Sequence, residues 1–107
     1  MSNINEIFTG KIAEKLKSNP DLASSINATY VFDLGDEGGM WSLDLTKPGG
    51  EVKEGAIDDP NLTVTMKADD FVKLVDGSLN AQMAFMSGKL KIKGDMPLAL
   101  KLQSILS

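Results

Sequence analysis

The chain has 107 residues, of which 42% are hydrophobic and 24% charged, and its formal net charge is −4. This length suffices for one globular domain, which we expect to span residues 1–107, and no apolar run approaches the length of a membrane span. The sequence has no His and no Cys, and all 11 basic residues are Lys. These absences exclude the usual zinc sites, Cys nucleophiles, Ser-His dyads and bidentate Arg clamps. The negative charge argues against nucleic acid as a main partner.

The first predicted element is a helix from Asn3 to Lys17. Asn3 and Glu6 have the spacing of a capping box, and Ser18-Asn19-Pro20 ends the helix. One further helical turn is predicted over residues 21–25. The apolar residues of the long helix follow helical spacing, namely Ile4, Ile7, Phe8, Ile12 and Leu16.

The period then changes to two, which predicts strands. Turns are expected at residues 35–39 and at Pro48-Gly49-Gly50, and the third strand, Glu51 to Ile57, is the weakest. The other three strands each alternate apolar and polar residues, so we predict an antiparallel meander of four strands with one apolar face. The apolar sets are Tyr30, Phe32 and Leu34, then Trp41, Leu43 and Leu45, then Leu62, Val64 and Met66.

The last part of the chain alternates helices with one more strand. A helix is predicted from Asp69 to Asp76, with Gly77 as its C-cap, followed by a short helix around residues 81–87. A fifth strand, Lys89 to Lys93, precedes a final helix that begins near Met96. This order predicts an α+β domain with a five-stranded, mostly antiparallel sheet covered on one face by helices.

The final helix is apolar around most of its circumference. A helix that packs on one core needs a single apolar stripe, so part of this surface must face something else. We expect Met96 and Leu100 to face a cavity, and Leu98, Leu102 and Ile105 to face the core. Methionine lines surfaces that accept varied apolar ligands, and several Met residues lie nearby in the sequence. The pattern therefore predicts an adaptable apolar cavity.

The lysines of the fifth strand have two interpretations. Lys89, Lys91 and Lys93 share one face, and lysine commonly protects edge strands from pairing with other sheets. Together with Lys101 they could also attract an anionic lipid headgroup or an anionic membrane. Both roles are compatible.

Four carboxylates, Asp58, Asp59, Asp69 and Asp70, lie close together in sequence. Their spacing does not follow the alternating ligands of a calcium loop, and turn and helix-start positions account for all four. We therefore predict neither a metal site nor a cofactor.

The sequence resembles the sterol carrier protein 2 family in element order over the whole chain, and closely from Leu62 on. The resemblance lies in Asp-Pro-Asn-Leu-Thr-Val-Thr-Met at residues 59–66, in Phe-Met-Ser-Gly-Lys-Leu-Lys-Ile-Lys-Gly-Asp-Met at residues 85–96, and in Leu-Ala-Leu-Lys-Leu-Gln at residues 98–103. It implies a hydrophobic tunnel between sheet and helices. It also implies binding of fatty acids, fatty acyl-CoA and sterols without catalysis.

The pattern and the resemblance together assign a lipid-binding site. We predict no catalytic residues, and we expect Lys89, Lys91, Lys93 and Lys101 to face headgroups or membranes. Trp41 is expected near the cavity because it points the same way as Leu43 and Leu45. The predicted lipid-binding residues are Trp41, Leu43, Met66, Phe71, Val75, Gln82, Met83, Met86, Leu90, Ile92, Met96, Leu100 and Gln103.

The expected function is an intracellular lipid-binding and transfer protein, monomeric, with transient membrane contacts. The sequence ends in Ile105-Leu106-Ser107 and not in the peroxisomal tripeptide of eukaryotic family members, so a cytoplasmic location is expected, with the peroxisome as the alternative. One alternative is an interaction module that docks its apolar C-terminal helix onto a lipid-metabolising partner. Another is an enzyme that acts on an acyl thioester through Asp or Lys.

Overall fold

The computed structural model describes residues 4–47 and 49–106, apart from the side chains of residues 102–104. The helices are α1 (Ile4–Glu6), a π-helical stretch (Ile7–Ile12), α2 (Ala13–Ser18), α3 (Pro20–Ile26), α4 (Gly35–Gly38), α5 (Ala68–Asp76), α6 (Ala81–Met86) and α7 (Met96–Leu106). The strands are β1 (Thr29–Asp33), β2 (Met40–Asp44), β3 (Glu51–Glu54), β4 (Leu62–Met66) and β5 (Leu90–Gly94). The predicted cap at Asn3 and the predicted turn residue Pro48 lie outside the described residues.

Within the described ranges, five strands form one sheet in the order β3-β2-β1-β4-β5. The pairs β1–β2, β2–β3 and β4–β5 are antiparallel, whereas β1 and β4 are parallel. This confirms the predicted α+β domain with a mostly antiparallel sheet. The predicted meander is wrong at its last step, because β4 pairs with β1 and not with β3.

Strand composition explains this order. Tyr30, Val31 and Phe32 of β1 are all buried, and a strand buried on both faces is typical of the centre of a sheet. In contrast, β3 has charged residues at three of its four positions, which suits an edge. Asn61 fixes the start of β4 to that of β1: its side-chain oxygen accepts hydrogen bonds from the backbone N–H and the hydroxyl of Thr29, at 2.9 and 3.0 Å.

The connection between β3 and β4 passes over the sheet face that the helices leave uncovered. Ser42 lies on this face and donates its hydroxyl hydrogen to the carbonyl oxygen of Gly55, at the start of the connection. Ser42 and its cross-strand neighbour Val31 are only 1% and 3% exposed. The connection therefore covers part of the outer face.

The helices cover the other face of the sheet and enclose an aromatic cluster. Phe8, in the π-helical stretch, stacks between Trp41 and Phe71, with ring centroids 4.8 and 5.2 Å away. It also meets Phe32 edge-on at 5.4 Å. The π-helical stretch departs from the regular helix that the sequence predicts, because its wider turn contains an extra residue. Phe8 in that turn occupies the centre of the core.

Three element boundaries differ from those predicted. The single turn expected over residues 21–25 is the longer helix α3, which begins with Pro20, a residue suited to the first helical turn. The turn predicted over residues 35–39 contains the short helix α4. Strand β3 ends at Glu54 and not at Ile57, because Gly55 adopts a left-handed conformation with φ +99°.

Candidate functional site

A groove of about 520 Å³ lies between α6, β5 and α7, and we call it the β5 groove. Its volume is in the range of about 300–1,000 Å³ that is usual for small-ligand sites. Two of its residues, Met86 and Leu100, are 77% and 83% exposed, so its rim is open to solvent. The lining residues are Asn80, Ala81, Gln82, Phe85, Met86, Leu90, Ile92, Met96, Ala99 and Leu100.

Helix α6 forms one wall and is held at both ends by local hydrogen bonds. The side-chain oxygen of Asn80 caps its N-terminus by accepting the backbone N–H groups of Gln82 and Met83, at 2.8 and 3.3 Å. Beyond its C-terminus, the backbone N–H of Lys89 donates to the carbonyl oxygen of Ala84 at 2.9 Å. Ala84 itself is fully buried, so this bond joins the inner side of α6 to the start of β5, while Phe85 and Met86 line the groove.

Helix α7 forms the opposite wall and has two apolar faces. Leu98, Ile105 and Leu106 are at most 8% exposed and belong to the core, whereas Met96 and Leu100 line the groove at 48% and 83% exposure. Leu102, expected in the core, has its side chain outside the described part of the chain. The excess of apolar residues on this helix therefore has a structural explanation, since one face packs inward and the other borders the groove.

A buried tyrosine anchors α7 to the sheet. The hydroxyl of Tyr30 donates to the carbonyl oxygen of Leu98 at 2.9 Å. Burial raises the pKa of this hydroxyl to about 12, and the nearby Asp95 carboxylate adds to the effect. The neutral form of Tyr30 is therefore the one that the folded protein stabilises.

This anchor predicts a loss of stability at alkaline pH. In the unfolded chain Tyr30 ionises near pH 10, whereas in the folded chain it stays protonated up to about pH 12. Its contribution is fully present below pH 10 and declines as pH rises toward 12. Urea unfolding at neutral pH should show Tyr30→Phe to be less stable than the wild type by about 1–2 kcal/mol, because the Leu98 carbonyl loses its donor. That gap should narrow between pH 10 and 12, and parallel curves would contradict this role of Tyr30.

The β5 groove has no charged side chain among the described residues that line it. Its polar side chains are the amides of Asn80 and Gln82. The lysines of β5 lie elsewhere: Lys91 and Lys93 pair with Thr65 and Thr63 of β4, on the face opposite to Leu90 and Ile92. Lys101 is exposed on α7, about 100° around the helix from Leu100. The groove can therefore accept an apolar chain without an ion pair to its head.

Most of the predicted lipid-binding residues fall into two groups, and two residues belong to neither. Gln82, Met86, Leu90, Ile92, Met96 and Leu100 meet in the β5 groove. Trp41, Leu43, Met66, Phe71 and Val75 are buried in the core beneath the helices. Met83 is 68% exposed on α6 and does not line the groove, and the side chain of Gln103 lies outside the described residues.

Several lining residues were not anticipated from sequence. Phe85 follows Gln82 by three positions, so helical spacing alone could have placed it on the same face of α6. Asn80 could have been recognised as the cap that precedes this face. Ala81 and Ala99 carry no comparable signal, because small apolar residues occur on every kind of helix face.

None of the helices in residues 4–47 and 49–106 is long and apolar enough to cross a bilayer. The same residues contain no group of three or more acidic side chains placed to hold a metal ion.

Comparison with known proteins identifies the family. The profile of the SCP-2 sterol transfer family matches residues 5–107, so the chain belongs to this family, and the resemblance seen in the sequence is confirmed. Among solved structures, the apo form of sterol carrier protein 2 from Yarrowia lipolytica matches with a TM-score of 0.75 and 33% identity, over 96% of this chain and 83% of that one. Sterol carrier protein 2 from Aedes aegypti, in complex with palmitate, matches with a TM-score of 0.79 and 27% identity, over 100% and 97% of the two chains.

The curated relatives are parts of longer proteins. Human hydroxysteroid dehydrogenase-like protein 2 is 47% identical over 89 residues, which cover 81% of this chain but 21% of the relative. Peroxisomal multifunctional enzyme A of Dictyostelium discoideum is 40% identical over 110 residues, which cover 97% of this chain and 24% of the relative. The chain thus spans about a fifth to a quarter of these relatives.

Proposed function

We propose that this protein is a non-catalytic lipid carrier that holds long-chain fatty acids, fatty acyl-CoA and sterols in the β5 groove. The observation that carries the proposal is a groove of about 520 Å³, with no charge on its described lining residues, in a chain of the SCP-2 sterol transfer family. The palmitate complex of the Aedes aegypti relative supports an acyl chain as the ligand. The absence of His, Cys and Arg from the sequence supports a carrier over an enzyme.

The expected affinity follows from the burial of methylene groups. A chain with about 12 buried methylenes gains roughly 10 kcal/mol, at about 0.8 kcal/mol each. The costs of association and ordering leave about 8 kcal/mol, which corresponds to a dissociation constant near one micromolar. The energy comes from the apolar wall and not from a headgroup contact, which suits a carrier of several lipids.

We assign the polar end of the ligand to Gln82. Its amide lies among apolar liners, and it can donate to a carboxylate, ester or thioester oxygen. A neutral donor serves all these heads about equally, whereas a cation would favour free acids. The bulky CoA group would remain in solvent beyond the rim.

The test combines native mass spectrometry of the purified protein with titration of a fluorescent acyl probe. We expect bound fatty acid as added mass and one saturable site at about micromolar affinity. Competition by palmitate and palmitoyl-CoA should displace the probe. Probe binding that does not saturate, or that neither competitor reverses, would contradict the carrier function.

The same titration tests the predicted place of Trp41 beside the ligand. Trp41 is the only tryptophan, and its indole N–H donates to the carbonyl oxygen of Gly38 at 3.0 Å. A change in its emission on saturation would support a chain that reaches into the aromatic cluster. Unchanged emission would contradict the assignment of Trp41 to the ligand site.

A second candidate function is a docking module for a lipid-metabolising partner. The exposed apolar side chains of Met83, Met86 and Leu100 favour it, because such patches commonly mark interaction surfaces. Analytical ultracentrifugation separates the two functions. A lipid-free protein that stays monomeric favours the carrier, and lipid-independent self-association favours the module. Its relation to a peroxisomal multifunctional enzyme adds the peroxisome to the cytoplasm as a proposed location of the domain.

A further inference from the structure

Strand β5 lies at the edge of the sheet, and its two faces have opposite chemistry. Leu90 and Ile92 form the floor of the β5 groove. Lys91 and Lys93 point to the opposite face, where they pair with Thr65 and Thr63. Lys89, one residue before the strand, has the same parity, and we call these three residues the lysine row. A single strand therefore separates the apolar groove from a line of positive charge.

Within the described residues, the lysine row forms no ion pair. All three lysines are exposed, and the salt bridge in the described part of the chain is Lys47–Glu51, elsewhere on the surface. The outward residues of β4 are threonines, and those of β3 carry opposite charges, Glu51 and Lys53. The outward charges of β1 and β2 are the carboxylates Asp33 and Asp44. Strand β5 is therefore the strand of the sheet whose outward charges are all positive.

Exposed apolar side chains surround the groove on the other side of the same strand. We call this set the apolar rim, and its members come from α6 and α7. These side chains are exposed to solvent, whereas 26 other hydrophobic residues of the described chain are buried in the core. Flexible Met side chains in the rim can adapt to an irregular apolar partner. The members are Met83, Phe85, Met86, Met96 and Leu100, with exposures of 68%, 44%, 77%, 48% and 83%.

We propose that this edge of the molecule docks onto an anionic lipid bilayer. The lysine row binds headgroup phosphates and carboxylates, and the apolar rim enters the interface between headgroups and acyl chains. The long lysine side chains reach the headgroups while their stems lie along the strand. The groove, between row and rim, then opens directly to lipid. The inference extends the proposed carrier function by naming the surface through which lipid would be exchanged.

Charge complementarity favours a bilayer over a second copy of this chain. Two β5 edges that approached each other would bring two lysine rows together, and the repulsion disfavours sheet-to-sheet pairing. The net charge of −4 means that most of the surface is repelled by an anionic membrane. Among the described residues, the β5 edge brings the lysine row together with the exposed apolar side chains of α6 and α7. Charge and exposed apolar surface therefore favour the same orientation of the protein on the membrane.

The experiment is vesicle flotation of the full chain with phosphatidylcholine vesicles and with vesicles that also contain phosphatidylserine. The test variant is Lys89→Gln/Lys91→Gln/Lys93→Gln. The matched control is Lys17→Gln/Lys53→Gln/Lys73→Gln, with exposed lysines outside the lysine row and the same net charge of about −7 by the loss of three lysines. Each lysine near an anionic surface increases partitioning about five-fold, so the test variant should bind anionic vesicles roughly 100-fold more weakly than the wild type. The control should stay close to the wild type.

Salt provides a second measure of the same contact. The Debye length shortens from about 10 Å at 0.1 M to about 3 Å at 1 M, so wild-type binding to anionic vesicles should weaken steeply with salt. Binding of the test variant should depend on salt much less. The proposal would be overturned if the wild type bound neutral and anionic vesicles equally well. It would also be overturned if the control variant lost as much binding to anionic vesicles as the test variant does.

Two further measurements distinguish membrane docking from the carrier function and from simple edge-strand protection. Titration of a neutral acyl ester probe in solution should be alike for the wild type and the test variant, because the groove supplies that energy. If the wild type showed no saturable binding of the acyl ester probe, the carrier function would be contradicted, but the vesicle result would still decide membrane docking. If the test variant self-associates but keeps its affinity for anionic vesicles, the lysines only protect an edge strand, and the docking proposal fails.

Discussion

Replacement of Leu100 by Gln is expected to weaken acyl-chain binding roughly 10- to 100-fold. Covering a leucine side chain is worth about 1.5–3 kcal/mol, and each 1.4 kcal/mol corresponds to a factor of ten. Leu100 is 83% exposed, so its hydrophobic contribution is available to the ligand and not to the core. The free energy of unfolding should therefore change by no more than about 0.5 kcal/mol. Probe titration and urea unfolding measure the two quantities on the same sample.

Met40 provides the matched control for this substitution. It is also an exposed apolar residue, at 38%, but it lies on β2, across the sheet from the groove. Met40→Gln should leave probe affinity near that of the wild type. Equal losses of affinity in the two variants would mean that the chain does not bind beside α7. A large loss of stability in Leu100→Gln would mean that the outer face of α7 belongs to the core.

Replacement of Gly94 by Ala is expected to destabilise the fold by more than about 3 kcal/mol. Gly94 ends β5 with φ +124°, and a Cβ atom there would collide with the backbone oxygen of Asn61 and approach the Leu62 Cα to 3.1 Å. That oxygen also accepts the backbone N–H of Asp95 at 3.0 Å, so it cannot move without releasing the start of α7. Left-handed strain and the backbone collision therefore add together. Chemical denaturation measures the loss.

Gly88→Ala is the control for Gly94→Ala. Gly88 also has a left-handed conformation, with φ +81°, but a Cβ atom there would meet nothing within 4 Å. Its cost should be the strain alone, about 1–2 kcal/mol. The difference between the two variants isolates the close approach of the β4 and β5 backbones. Similar losses in both would show that Asn61 yields readily and that this junction is not rigid.

The sequence predicts faces of elements better than it predicts lateral positions. Alternation in β2 correctly turns Trp41 and Leu43 inward, and helical spacing correctly separates Leu98 from Leu100 on α7. Alternation cannot say which helix lies above an inward residue. Trp41 lies beneath Phe8, and β1 and β4 separate its strand from the groove. The face of an element on which a residue lies follows from nearby residues in the sequence. Its lateral position in the sheet depends on contacts between distant parts of the chain.

For the same reason, the alternation of apolar and polar residues could not predict the parallel pairing of β1 with β4. Strand pairing is decided by contacts such as that of Asn61 with Thr29, which are 32 positions apart in sequence. A hairpin is the default between neighbouring strands, and nothing in residues 55–61 excludes one. The sequence does contain one indication of a central strand. Val31 is apolar although it shares a face of β1 with Thr29 and Asp33, and in the structure it is buried.

The β5 groove also has a consequence for how such domains diversify. All its described lining residues lie between Asn80 and Leu100, in one continuous stretch of chain. The aromatic cluster of Phe8, Trp41 and Phe71 comes from separate parts of the chain and is constrained by mutual packing. Substitutions in the short stretch can therefore change ligand preference while the scaffold stays as it is. A single segmental exchange between relatives would carry a complete binding site from one protein to another.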